Sequence, residues 1–257
     1  MRFVDTHIHL DGQEFDTDRH DVVERAKEAG AVALLAPAID IATTHKVMEL
    51  SQEYKGYVFP MAGLHPEEVK DGFEQQLQEI RNLLPGRFVA IGEVGLDYYW
   101  SREFEKEQAD AFEMQVRWAC DLKMPLMIHC RKAQNEMVAI LKRYQKSLCG
   151  GVFHCFTGNE KEAEQLLAFD GFMLGIGGVL TFKKSHLPEV IANVPLKRVV
   201  LETDAPYMAP VPMRGKRNES AFIRHVIDRL ATCYGISAEE VAETTTKNAC
   251  RVFNLVL

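Results

Sequence analysis

Eight short apolar runs, each followed by a stretch of helical periodicity, constrain this chain more than any other feature. They begin at Phe3, Ala31, Tyr57, Phe88, Pro125, Gly151, Gly171 and Arg198. Ala31–Pro37 is apolar throughout, as in a strand covered on both faces. Helices are expected over 19–29 (closed by Gly30), 41–54, 73–84, 104–122, 133–144, 161–169 and 185–193, then over 220–234 and 238–248. Strand and helix alternate with a repeat of roughly 20–35 residues, which requires parallel strands joined by helical crossovers.

Eight such units in 257 residues predict an α/β chain folded as a single (β/α)8 TIM barrel with C-terminal helices, one domain over 1–257. An open doubly wound sheet is the alternative, but no Gly-rich phosphate fingerprint follows the first strand. A hydrophobic content of 47% supplies the core, and no linker or low-complexity stretch divides the chain.

Chemistry in such a barrel sits at the C-terminal ends of the strands. The first strand carries Asp5, His7 and His9 at alternate positions, which an extended chain points to one face. Two imidazoles one strand step apart can hold one metal ion, with Asp5 free to orient an imidazole or add a carboxylate. Later strands end in His65, Glu93, His129, His154 and Asp204. By the same alternation Val152, His154 and Phe156 share a face, so that Cys155, like Cys130, points to the helix layer, and Glu202 points inward one layer deeper than Asp204. Unpaired, these groups would be a costly desolvated set, and bound dications would compensate them.

Four histidines and two carboxylates exceed one tetrahedral site and suit two ions about 3.5–4 Å apart. Glu93, on a middle strand, is placed to bridge. His7 and His9 would complete one ion, and His129 and His154 the other. Asp204, from the strand that closes against the first, can ligate the first ion and take a proton from an attacking water.

The six cysteines form no CxxC pair and read as reduced thiols. With no signal-like apolar segment at the start and no run near the ~18 residues of a membrane span, a cytoplasmic protein without a membrane partner is expected. The net charge of −7 argues against a broad basic nucleic-acid surface, although local arginines and metal ions can serve a nucleic-acid substrate.

The segments Asp5-Thr-His-Ile-His-Leu-Asp11, Gly63-Leu-His-Pro66, Gly92-Glu-Val-Gly-Leu-Asp-Tyr-Tyr99, Ile128-His-Cys-Arg131, Phe153-His-Cys-Phe-Thr-Gly158, Leu201-Glu-Thr-Asp-Ala-Pro-Tyr207 and Gly215-Lys-Arg-Asn-Glu219 run almost end to end. With them the chain resembles the TatD family of metal-dependent deoxyribonucleases, in the amidohydrolase-like TIM-barrel superfamily. The resemblance implies a hydrolase that shortens DNA from the 3′ end, on single strands or 3′ ends. It assigns His7, His9, Glu93, His129, His154 and Asp204 as metal ligands; of these, Glu93 and Asp204 are also expected to be catalytic. His65 becomes a substrate-side or third-metal residue. Two divalent ions are implied, Mg²⁺ in the family, while imidazole-rich sites also suit Mn²⁺ or Zn²⁺. The chain departs from the family pattern at Met213 (often His), Ser220 (often Pro), and Cys130 and Thr157 (often Ser).

Around the expected site, Arg131 and Lys132 follow strand 5, and Arg214, Lys216 and Arg217 follow strand 8. Arg131, Arg214 and Arg217 are candidates for gripping phosphates, and Tyr98, Tyr99 and Trp100 for stacking exposed bases. His20, His45, His186 and His225 are expected at the surface, and Asp97 and Asn218 as loop supports. A small-molecule amidohydrolase or phosphoesterase on the same scaffold is the alternative function. A non-catalytic binding protein would be expected to have lost ligands, and none is missing.

Overall fold

A computed structural model describes all residues, 1–257. The elements are β1 (Phe3–Asp5), α1 (Arg19–Ala29), β2 (Ala31–Pro37), α2 (Ile41–Glu53), β3 (Val58–Met61), α3 (Phe73–Leu83), β4 (Ile91–Asp97), α4 (Glu105–Leu122), β5 (Leu126–Arg131), α5 (Gln134–Tyr144), β6 (Gly151–Phe153), α6 (Glu160–Leu167), β7 (Phe172–Ile176), α7 (Leu187–Ile191), β8 (Val199–Leu201), α8 (Ile223–Tyr234) and α9 (Ala238–Phe253). All neighbouring strands pair in parallel, as one arc β1-β2-β3 and a second arc from β4 to β8 in chain order.

Two seams join the arcs into a barrel. Between β3 and β4, the Gly92 N–H donates to Ala62 O at 2.9 Å. Between β8 and β1, the Thr6 N–H donates to Leu201 O at 3.0 Å and the Asp204 N–H to His7 O at 2.9 Å. The chain therefore folds as the expected (β/α)8 TIM barrel.

Side-chain alternation explains the continuous apolar runs. On β2, Ala33 and Leu35 face the barrel interior with Val4, Met61, Met127, Val152, Met173 and Val200, while Leu34 and Ala36 join the larger core beneath the helices. Ala249, Phe253 and Leu255 at the C-terminal end pack against the interior set. They close the N-terminal end of the barrel and leave the opposite end to polar side chains. No helix is long and apolar enough to cross a membrane.

Several strands are shorter than the apolar runs implied. β3, β6 and β8 stop at Met61, Phe153 and Leu201, so His65, His154 and Asp204 lie on the loops beyond. Left-handed residues turn two of those loops, Cys155 (φ 48°) and Asp204 (φ 56°). Strict alternation therefore fails past His154: Phe156 packs in the outer core instead of sharing a face with Val152.

Replacing Phe253, 3% exposed beneath the barrel, by Ala should cost about 3–5 kcal/mol through lost burial and a residual cavity. Denaturant unfolding should show a lower midpoint, while ion binding at the far end stays intact.

Candidate functional site

The opening strand is shorter than the alternation of Asp5, His7 and His9 implies. β1 ends at Asp5, and beyond it the chain twists: the N–H groups of Thr6 and Ile8, which a regular strand would send to one neighbour, go to Leu201 and Leu35 on opposite sides. Asp5 consequently does not share a face with His7 and His9. One carboxylate oxygen accepts the N–H groups of His7 (3.2 Å) and Thr203 (3.0 Å), and the other the hydroxyls of Thr203 (2.7 Å) and Ser220 (2.6 Å). Burial pushes its carboxyl up to about 6 against the pull of those bonds. Asp5 thus ties the His7 backbone to the Asp204 loop and offers nothing to an ion. Asn218 supports the same loop by donating to Thr203 O and Tyr207 O.

Glu93 occupies the centre of the mouth, its side chain 3% exposed. Its Oε2 lies 3.3 Å from His7 Nε2 and 3.4 Å from His9 Nε2. Asp204 Oδ1 stands 3.7 and 3.6 Å from the same two nitrogens. Glu93 Oε1 faces the other set, with His154 Nε2 at 2.8 Å, His129 Nδ1 at 3.0 Å and His65 Nε2 at 3.3 Å. The His7 and His154 rings stack at 4.1 Å where the two sets meet. One carboxylate thus gives one oxygen to each of two groups of imidazoles.

The donor geometry fits metal ions. His7 Nε2 and His9 Nε2 are 3.2 Å apart, as are His129 Nδ1 and His154 Nε2. Two nitrogens about 2.1 Å from one ion at a tetrahedral angle stand at nearly that separation. Convergence of imidazoles this close, around one carboxylate, is what a cation would compensate.

Protonation follows the environment. Burial, with His154 nearby, lowers His7 to about 4, and burial also lowers His65, so both are neutral. Burial opposes charge on Glu93, yet the imidazoles around it, His154 foremost, hold it well below the usual carboxylate range. Burial also opposes charge on His154, but Glu93 outweighs it and pushes the imidazole up to about 10. His65 Nδ1 accepts the Glu67 N–H at 3.1 Å, which leaves the ring proton on Nε2. His65 therefore presents a donor to the site.

Two further carboxylates take part. Asp97, expected only as a loop support, accepts His129 Nε2–H at 2.9 Å on one oxygen and the Tyr99 N–H at 2.9 Å on the other. It orients the ring so that Nδ1 faces Glu93. Asp97 ends β4 opposite Arg131, two residues beyond His129 on β5, a signal available once strand register is known. Glu202 is 1% exposed and pointed inward as expected, its Oε1 accepting the Cys155 N–H and standing 3.8 Å from His154 Nδ1. Burial pushes its carboxyl up to about 8. The Cys155 backbone thus serves the mouth, whereas Cys130 packs against the outer core as expected.

Of the expected phosphate-binding arginines, Arg131 and Arg214 are exposed and form no ion pair, with the Arg214 guanidinium 3.9 Å from the Phe182 ring centroid. Arg217 differs. Its two terminal nitrogens donate to Asp18 at 2.8 and 2.7 Å, and one also to Glu14 O. Asp18 also meets Arg25, which grips Glu219, so Arg217 fastens the loop to α1 instead of standing free for a phosphate. Tyr98 is likewise unavailable for stacking: it is 7% exposed and lies under Arg102, whereas Tyr99 and Trp100 are exposed. His20, His45 and His186 are exposed, and His225 is half-buried.

Arg217→Ala should lower the thermal midpoint by freeing the loop after β8. The salt dependence of any nucleic-acid binding should stay as in the parent, which parallel melting and salt titrations would check.

Comparison with known proteins agrees with this geometry. The family model described as TatD related DNase matches residues 4–254. The chain is 37% identical over 253 residues to the uncharacterised metal-dependent hydrolase YabD of Bacillus subtilis, covering 98% of each chain. It is 34% identical over 258 residues to the 3′-5′ ssDNA/RNA exonuclease TatD of Erwinia tasmaniensis, covering 98% of this chain and 99% of the other. The crystal structure of YJJV, a TatD homologue from Escherichia coli, superposes with a TM-score of 0.91 at 30% identity over 99% of both chains. The chain belongs to the TatD family and is a metal-dependent hydrolase.

Proposed function

We propose that the chain is a 3′-5′ exonuclease acting on single-stranded DNA or 3′ ends through two divalent ions, Mg²⁺, Mn²⁺ or Zn²⁺. The observation that carries this reading is the division of the Glu93 carboxylate, one oxygen toward His7 and His9 and the other toward His129 and His154. The relatives named as ssDNA/RNA exonucleases supply the substrate class.

In this reading His7, His9, Asp204 and Glu93 would hold one ion, and His129, His154 and Glu93 the other. Ions held there would lower the pKa of a water and offset negative charge on a phosphodiester. Asp204 is the proton acceptor. Its side chain is 17% exposed against 3% for Glu93, so it alone of the carboxylates in direct reach of His7 and His9 meets solvent. His65 donates its Nε2–H to a substrate oxygen. Arg131 and Arg214 take phosphates flanking the scissile bond. Asp97 would keep His129 in the tautomer whose Nδ1 lone pair is free for an ion.

The test is a cleavage time course on 5′-labelled single-stranded DNA, with chelator-stripped protein re-supplied with each ion in turn. A metal-dependent ladder that shortens from the 3′ end, abolished in Glu93→Ala, is the expected result. No cleavage with any ion would redirect the site to a small phosphoester or amide. Near-normal turnover in Glu93→Ala would remove the two-ion reading.

Asp97→Asn should weaken ion affinity by about 10–100-fold, since the amide can no longer enforce the His129 tautomer. Calorimetric titration with Zn²⁺ checks this, with circular dichroism confirming an unchanged fold.

A further inference from the structure

We propose that Tyr99, Trp100 and Arg131 form a stacking platform for a base of the substrate strand beside the site, an inference that rests on the nuclease reading. Tyr99 and Trp100 are 50% and 67% exposed, among the most exposed large hydrophobic side chains of the molecule. Their rings meet edge to face at 4.9 Å. The Arg131 guanidinium lies 3.7 Å from the Tyr99 ring centroid and 5.1 Å from that of Trp100. Arg131 forms no salt bridge, and two aromatic rings hold its guanidinium at the rim. Aromatic rings and a free guanidinium together match a nucleotide, whose base has a π-face and whose phosphate has a charge.

The platform is attached rigidly to the site. Asp97 accepts the Tyr99 N–H with one oxygen and the His129 imidazole with the other. Asp97 and Arg131 are register partners on β4 and β5, and the Tyr98 N–H donates to Arg131 O at 2.9 Å. Arg131 also follows His129 by two residues on the same strand. A base seated here would therefore hold its strand at a set offset from the Glu93 cluster. Stacking of this kind tolerates any base and requires an unpaired one, so the platform selects single strands over duplex.

Trp100 provides its own readout, because the second tryptophan, Trp118, is buried at 8% exposure. Chelator-stripped protein, which cleaves nothing, would be titrated with oligothymidylate and with an abasic oligomer of equal phosphate number. Oligothymidylate should quench the tryptophan emission and bind about tenfold more tightly than the abasic oligomer. Tyr99→Ala should shrink that preference, Trp100→Phe should keep it and lose the quenching, and Arg131→Ala should weaken both oligomers. Equal affinities without quenching, in protein that still yields the metal-dependent ladder, would overturn the platform and leave the nuclease reading standing. Absence of both the ladder and binding of either oligomer would overturn the two together.

Discussion

The buried carboxylate of Glu93 is the constraint around which the mouth of this barrel is built. A carboxylate so enclosed needs positive charge or hydrogen-bond donors on every side. Imidazoles from four other strand ends provide them, with His154 pushed up to about 10 by that same carboxylate. The arrangement aims ring nitrogens at both oxygens of one anion. Such a cluster is also what a pair of dications would take over, because ion and proton compete for the same lone pairs.

Holding that cluster requires the barrel to close at the correct register. At the β8–β1 seam Asp5 does this work from behind, bonding the His7 backbone, both donors of Thr203 and the Ser220 hydroxyl. The Ser220 hydroxyl donates to the same Asp5 oxygen as the Thr203 hydroxyl. Asn218 and the Arg217–Asp18 pair secure the loop that carries Asp204. Several charged residues near the site therefore position the segments that carry His7 and Asp204 and do not face the Glu93 cluster themselves.

The alternation of apolar runs and helical segments was sufficient to place the eight βα units, since each element buries its own stripe and the pattern is local. Helix α1 and strand β2 matched to the residue. Reading failed at strand ends. Alternation presumes extended backbone, and the chain there twists at Thr6 or turns through left-handed residues at Cys155 and Asp204. Asp5 and Phe156 were misplaced for that reason alone.

The sequence by itself determined the barrel and the identity of the converging donors: His7, His9, His65, Glu93, His129, His154 and Asp204 all reach the mouth. Only the tertiary structure decided which atom of each faces inward, that Asp97 sets His129, and that Arg217 belongs to Asp18. Those outcomes depend on partners 32 and 199 residues apart. Local periodicity says which face a residue occupies, whereas a tautomer or an ion pair is settled by the distant group that chain closure brings within hydrogen-bond reach.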